Sequence, residues 1–406
     1  MLVSILTAGL VCLMVAVLAL TGYLLMLTVS AAVVRWRARP PRPAAAECRF
    51  AVLIPAYNEE RLIGRLLQNL NQLDYPAHQY DVCVVADNCD DGTASIARAN
   101  GARVFERHDL THRAKGYALR WLLEQLRGKD GYPYDAFVIL DADSVVSSNF
   151  LRSMDARLAA GNQVVQAYYT VLNTHQGMLT GLRAAALAAL HYLRPLGRAA
   201  FGLSCGLKGN GMCFRTDIIE RFAWNWYTLA EDVEFHLALV RAGVRVDFAP
   251  EAQVSADMPV TLKQAASQNQ RWERGRIQLL REHVPTLVWD GLRKRSLLRL
   301  DAAAEQLIPP QSLPFALAGL CLVGGLLVSS QLVQVLALLG LVGQAGYLLA
   351  ALALARAPWR AYLALTAAPI YIVWKLGLYS QALVSSRTPD WIRTTRTATV
   401  SSKQSI

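Results

Sequence analysis

From Leu2 to Val34 the chain carries no charged side chain. That absence excludes an ordinary water-facing helix, and the run exceeds the roughly 20 residues needed to cross the hydrocarbon core. No Lys or Arg stands ahead of it and no clear cleavage site follows, so a retained anchor is expected rather than a cleaved leader. Charge is thin elsewhere too. Only 17% of the 406 residues are charged, against 54% hydrophobic, so a membrane part is expected. Cysteine is equally sparse. Cys12, Cys48, Cys83, Cys89, Cys205, Cys213 and Cys321 are odd in number, scattered and without metal-type spacing, which points to a reducing compartment and away from disulfides or zinc. Acidic residues are outnumbered, 30 against 41, for a net charge of +11. The basic clusters (35–42, 271–276, 293–299 and 387–396) all border apolar segments, so anionic lipid headgroups explain them and no nucleic-acid partner is expected. Arg35, Arg37, Arg39 and Arg42 directly follow the first run, which places the next domain in the cytoplasm and the chain in the cytoplasmic (inner) membrane as a multi-pass protein.

The chain divides into an anchor (1–34), a basic Pro-rich linker (35–49, with Pro40-Pro41-Arg42-Pro43), a domain over 50–275, interface helices (276–305), apolar segments (306–384) and a tail (385–406). In the domain, strand-like runs at 50–55, 81–86, 102–105 and 136–140 alternate with helical patterns at 59–73, 94–100 and 115–126. That alternation predicts an α/β fold with a largely parallel sheet, whose ligands sit beyond the carboxyl ends of the strands. Thr286 to Leu300 mixes Trp289, Leu292, Leu297 and Leu298 with Arg293, Lys294, Arg295 and Arg299, an amphipathic interface helix. Leu307–Ser329 and Leu332–Ala355 are each long enough to span. Ala361–Leu383, with Pro369 and Lys375, reads either as a span or as a broken, re-entrant segment.

Three strand ends in a row carry polar clusters: Pro55-Ala56-Tyr57-Asn58-Glu59, then Asp87-Asn88-Cys89-Asp90-Asp91, then Asp141-Ala142-Asp143. The first two fit either nucleotide contacts or ordinary turn chemistry. In the third, two carboxylates two residues apart repel unless a cation such as Mg²⁺ or Mn²⁺ neutralises them. Glu231-Asp232 offers another acidic pair, and Gln268-x-x-Arg271-Trp272 follows. Leu207-Lys208-Gly209-Asn210-Gly211-Met212 reads as a glycine-permissive loop beside an acceptor or as a plain turn. A Rossmann-type oxidoreductase would need a Gly-rich loop after the first strand, where Pro55-Ala56-Tyr57-Asn58 stands.

This ordered set resembles the family 2 glycosyltransferases, and more closely their membrane-embedded branch of cellulose, chitin, hyaluronan and poly-N-acetylglucosamine synthases. The resemblance covers residues 50 to 275 and implies a GT-A type domain using a nucleotide-sugar donor, UDP-linked by expectation. It implies base recognition by Asp87 with Pro55, Tyr57 and Glu59 nearby, and Lys115 at the diphosphate. Asp141 would lie by the ribose and diphosphate, and Asp143, with Asp141, would hold the metal. Asp232, beside Glu231, would be the general base. Gln268, Arg271 and Trp272 would hold the diphosphate and the acceptor, with Gly209 and Asn210 on the acceptor side; Trp272 also reads as a membrane-interface anchor. The resemblance favours an inverting, processive polysaccharide synthase, extruding alone, as a homo-oligomer or with an export partner. The alternative is single transfer to a lipid or lipid-linked acceptor.

Overall fold

The structure, a computed structural model, describes residues 1–37, 47–228 and 230–384, the side chains of 267, 271 and 381–384 excepted. Most of the Pro-rich linker (38–46) and the tail (385–406), with the arginines read from them, lie outside these residues.

In chain order the elements begin with α1 (Leu2–Arg37), β1 (Phe50–Ala56), α2 (Ile63–Leu70), β2 (Tyr80–Asp87), α3 (Thr93–Ala99), β3 (Arg103–Arg107), α4 (Lys115–Leu126) and β4 (Ala136–Ile139). They continue with β5 (Ser144–Val146), α5 (Phe150–Ala159), β6 (Val164–Val171) and α6 (Met178–Leu187), which runs through a π turn (Ala188–Leu193) into α7 (Arg194–Ala199). Then come β7 (Met212–Arg215), α8 (Thr216–Phe222), α9 (Glu231–Arg241) and β8 (Val246–Ala256). The chain closes with α10 (Leu262–Arg293), α11 (Leu297–Leu307), α12 (Ser312–Leu327), α13 (Gln331–Leu354), α14 (Trp359–Ala364) and α15 (Ala368–Val384).

β1 reads as a continuous apolar run because both faces of its sheet are covered. Val52 and Ile54 pack with Leu66 and Leu67 of α2, whereas Ala51 and Leu53 pack with Leu119 and Leu122 of α4, the period-2 division of a buried strand. The eight-stranded order is β3-β2-β1-β4-β7-β6-β8-β5. The β3-β2-β1-β4 half is parallel, as expected. The other half is mixed: β4/β7, β6/β7 and β5/β8 are antiparallel and only β6/β8 is parallel. The expectation of a largely parallel sheet is therefore corrected. β7 and β5 are four and three residues long, too short to carry a periodic signal, and β5 turns back directly after Asp143 to pair with β8.

α1 runs past Val34 to Arg37. α1 is about 54 Å long at about 1.5 Å per residue, and its inner end is part of the domain core, with Leu24, Leu27 and Ala31 buried there. It approaches α7 so closely that a Cβ on Gly197 would lie 2.4 Å from the Leu27 carbonyl oxygen. The amphipathic segment is likewise two helices. α10 runs unbroken across residue 275, and α11 starts afresh after Arg295 adopts a left-handed φ of 46°. Trp289, Leu292 and Leu297 remain exposed on this pair.

Among the described residues three helices are long and apolar enough to cross a membrane: Leu2–Arg37, Gln331–Leu354 and Trp359–Ser380. The run 307–329 does not form the single long span expected, because Pro309-Pro310 breaks it. α12 keeps only 16 residues, and α11 and α12 meet at a 62° bend. α1, α12 and α13 close on an apolar centre of Met14, Val17, Ala318, Cys321, Val333 and Ala337.

Gly116, in the first turn of α4, sets the position of that helix: a Cβ there would fall 1.8 Å from the Trp226 carbonyl oxygen. Gly116→Ala is expected to lower stability by about 1–3 kcal/mol, the usual cost of overpacking. Gly64→Ala, whose Cβ would meet Ile96 at an ordinary 3.5 Å, should be neutral or gain up to about 1 kcal/mol from helix propensity. Thermal unfolding of the two variants makes the comparison.

Candidate active site

The carboxyl ends of β2, β1 and β4 lie side by side, so Asp87, the Tyr57–Glu59 turn and Asp141–Asp143 share one rim of the sheet. Asn58, at a left-handed φ of 54°, exchanges hydrogen bonds with Asp90, and the Glu59 amide donates to Thr93 Oγ1 at 2.7 Å. These contacts bind the ends of β1 and β2 into one surface beside Pro55. Asp87 accepts from Arg107 at 2.6 Å and from Asn88 at 3.2 Å, both at Oδ1. Burial pushes its carboxyl up and the Arg107 guanidinium opposes that. Arg107 itself is buried and also holds Asp109 and the His112 carbonyl oxygen.

A second cluster is built around Lys115. Its Nζ donates to Asp141 Oδ1 and to the Gly209 carbonyl oxygen, each at 2.5 Å. Gly209 and Gly211 take left-handed φ values of 76° and 70°, a conformation costly for other residues. Asn210 fastens this loop to β4, its Oδ1 accepting from the Asp141 amide at 3.2 Å and its Nδ2 donating to Ser144 Oγ at 2.8 Å. A Cβ on Gly209 would lie 3.3 Å from Asp232 Oδ2, so the loop rests against the start of α9. Lys115, Asp141, Gly209, Asn210, Glu231 and Asp232 thus form one cluster.

Its electrostatics follow from crowding. Burial alone would lower the Lys115 ammonium, but Asp141, Glu231 and Asp232 outweigh it and hold it charged. Burial raises the carboxyls of Glu231 and Asp232, and Lys115 opposes the rise in both. Asp143 is buried, and its carbonyl oxygen accepts from Arg65 at 3.1 Å. Asp141 and Asp143 provide hard oxygen donors fit for Mg²⁺ or Mn²⁺. Among the described residues the one trio of ligating side chains drawn within 4.8 Å lies elsewhere, at Glu234, Glu282 and His283. An ion on Asp141 and Asp143 would therefore complete its shell from diphosphate and water oxygens, the habit of Mg²⁺.

α10 closes the site. Gln268 and Trp272, one turn apart, share a face of this helix, and a Cβ on Gly275 would lie 3.5 Å from Ala230, so α10 crosses the start of α9. Gln268 Oε1 is buried with no hydrogen-bond partner among the described residues. Trp272 is 38% exposed, and the Arg183 guanidinium lies 4.8 Å above its ring. The Arg271 backbone is in the same helix; its side chain lies outside the described residues. Asn269 and Glu273 of α10 hold the buried Lys375 of α15 at 2.6 and 3.1 Å.

A family model described as "Glycosyltransferase like family 2" matches residues 47–275. The chain belongs to this family. As a family 2 member it is similar to the beta-monoglucosyldiacylglycerol synthase of Trichormus variabilis, 26% identical over 278 residues, 65% of this chain and 57% of that one. It is also similar to glucomannan 4-beta-mannosyltransferase 7 of Arabidopsis thaliana, 24% identical over 250 residues, 58% of this chain and 44% of that one. The chain spans about half the length of the curated relatives it matches. Among solved structures it is similar to the Pyrobaculum calidifontis mannosyltransferase PcManGT in complex with GDP-Man and Mn²⁺, at 19% identity and a TM-score of 0.47. That match covers 84% of this chain and 97% of that one.

The 207–212 loop that contains Lys208 was read from the sequence, whereas Arg107, Tyr169 and Arg183 were missed. Only Arg107 left a signal, as a charged residue at the end of the third strand-like run. If Asp232 takes a proton during turnover, it must be ionised, and its raised pKa means that rate is lost as pH falls through that raised value. The acid limb of kcat/KM is thus expected above the ordinary carboxylate value of about 4. A pH–rate profile of the wild type checks this, with Asp232→Asn expected to abolish turnover and to retain donor binding.

Proposed function

We propose that this chain transfers one hexose from a nucleotide-sugar donor to a lipid acceptor at the cytoplasmic face of a membrane, with inversion at the anomeric carbon. The convergence of Lys115, Asp141, the Gly209–Asn210 loop and Asp232 at one rim carries the reading. The acceptor hydroxyl oxygen attacks the anomeric carbon, the bond from that carbon to the diphosphate oxygen breaks, and the hydroxyl proton passes to an Asp232 oxygen. Lys115 faces the negative charge that accumulates on the leaving diphosphate, a role the family resemblance also assigns to Arg271. A divalent ion held by Asp141 and Asp143 would supply further charge neutralisation there. Asp87 meets the base, with Pro55, Tyr57 and Glu59 beside it; Gln268 and Trp272 roof the donor and acceptor sugars.

The apolar helices α1, α13 and α14–α15, with Arg35 and Arg37 at the C-terminal end of α1, support the membrane placement. Single transfer is favoured over the processive synthesis expected from sequence. A polymer channel needs a polar lumen, yet α1, α12 and α13 meet on a closed apolar centre. Relatives whose names specify a lipid product, the monoglucosyldiacylglycerol synthases, point the same way.

Purified full chain in detergent is to be screened against UDP- and GDP-hexoses with a neutral diacylglycerol and an anionic glycerolipid, in Mg²⁺ or Mn²⁺. One added hexose by mass spectrometry, lost with EDTA and restored by the ion, is expected, with the anomeric configuration inverted by NMR. A ladder of products would restore the polymerising reading, and retention of configuration would sink the single displacement.

A further inference from the structure

β6 begins as an apolar strand interrupted by one amide. Val164, Val165 and Ala167 are fully buried, and Gln166 among them is buried as completely. A buried amide is costly unless both its nitrogen and its oxygen are hydrogen-bonded, and an apolar side chain of similar length would fill the same strand position without that cost. Its partners account for it.

All but one of them belong to the 207–211 loop. Gln166 Oε1 accepts from the Lys208 amide at 2.9 Å, and Nε2 donates to the carbonyl oxygens of Asn210 at 2.8 Å and Ala167 at 2.9 Å, with that of Gly211 at 3.4 Å. These partners also fix which way the amide points, since the Lys208 N–H can face only the oxygen and the carbonyl groups only the nitrogen. One side chain thus grips the loop on both sides of Gly209. Register places it there: Gln166 pairs with Met212, the first residue of β7, where the loop ends. Farther along the strand, the Tyr169 hydroxyl bonds the Asn210 side chain.

The other side of the same loop faces the reacting groups. The Gly209 carbonyl oxygen receives the Lys115 ammonium, the place of its missing Cβ is 3.3 Å from Asp232 Oδ2, and Asn210 Oδ1 accepts from the Asp141 amide. Gly209 and Gly211 hold φ values of 76° and 70°. Glycine enters and leaves that conformation with equal ease, so the backbone alone does not select this shape. Gln166 selects it, and it touches none of Lys115, Asp141 and Asp232.

We propose that Gln166 is a positioning residue for hexose transfer. By clamping the loop across Gly209 it sets Lys115 and Asp232 relative to one another and keeps free the gap beside Asp232 that the acceptor hydroxyl enters. The proposal rests on the transferase reading, with Asp232 as the proton acceptor, and adds a residue outside the strand-end motifs and the acidic pairs. A loop displaced by about 1 Å is enough to slow a reaction about a hundredfold.

The test compares the wild type with Gln166→Met and Gln166→Glu, each as purified full chain in detergent. Calorimetry with the nucleotide sugar counts donor-binding sites, and all rates are taken per site. In Gln166→Met, hydrogen exchange over 207–211 is expected to rise and donor affinity to stay within about threefold, while transfer to the lipid falls about a hundredfold and hydrolysis of the donor only about tenfold. Water finds its own place at Asp232, whereas the acceptor must be held. Gln166→Glu keeps an acceptor for the Lys208 amide and, as a neutral acid, a donor for the Asn210 carbonyl oxygen. Measured against wild type at the same pH, it should recover about tenfold of the loss at acid pH and give it up as the carboxyl ionises. Wild-type transfer per site in Gln166→Met, an unchanged ratio of transfer to hydrolysis, or wild-type exchange in the loop overturns the proposal. Loss of the donor-binding sites in both variants would make Gln166 a structural prop and also overturns it. A wild type that hydrolyses its donor but transfers to no lipid sinks the lipid-transfer reading instead; Gln166 is then judged by loop exchange and by hydrolysis per site, which must still fall.

Discussion

One ammonium among three carboxylates is the interaction on which the site depends. Asp141, Glu231 and Asp232 come from the end of a strand and the start of a helix, and without compensation they would repel one another. Lys115 reaches all three fields and in addition fixes the Gly209 carbonyl oxygen. It can stand there because the next residue has no side chain, so the first turn of α4 lies directly on the Trp226 backbone. Four parts of the chain meet at this point: α4, the end of β4, the 207–211 loop and α9. In the proposed reaction an incoming diphosphate would enter a field already balanced for charge, in which Lys115 would exchange one set of anionic oxygens for another.

The same principle joins the catalytic domain to the apolar helices. Arg194 and Arg198 of α7 bind Asp301 and Glu305 of α11, and Tyr347 of α13 accepts from Arg194. On the other side Lys375 of α15 reaches Asn269 and Glu273 of α10. Removing one partner from such buried pairs typically costs about 3–5 kcal/mol, so these contacts hold α10 and α11 in place against both halves. α10 is the element most constrained by this arrangement. It carries Gln268 and Trp272 on one face and the anchors Asn269 and Glu273 on another.

Much of the first half was legible in the sequence because it obeys local rules. The apolar runs of β1, β2 and β4 alternate with amphipathic helices, and α4 spans Lys115–Leu126 as its periodicity predicts. The acidic strand ends were legible for the same reason, since chemistry at the rim of a parallel sheet follows directly after an apolar strand. Beyond residue 140 the signals fail for identifiable causes. β5 and β7 are too short for a period, and a π turn lets α6 and α7 read as one helix. α10 also carries Pro285 inside it without ending. Arg107 and Arg183 are single residues whose meaning lies in partners, Asp87 and Trp272, that only the folded chain defines. Lys375 shows the limit most plainly. The sequence displays a charge within an apolar run, while Asn269, whose Oδ1 accepts its hydrogen bond, is 106 residues away.

Lys375 also bears on assembly. With α15 in a bilayer, an unpaired ammonium at that depth would be costly. Its partners Asn269 and Glu273 belong to α10, which precedes α15 in the chain. The seating of α15 is therefore conditional on the fold of α10: where α10 is not in place, Lys375 loses both Asn269 and Glu273 and the helix carries an uncompensated charge.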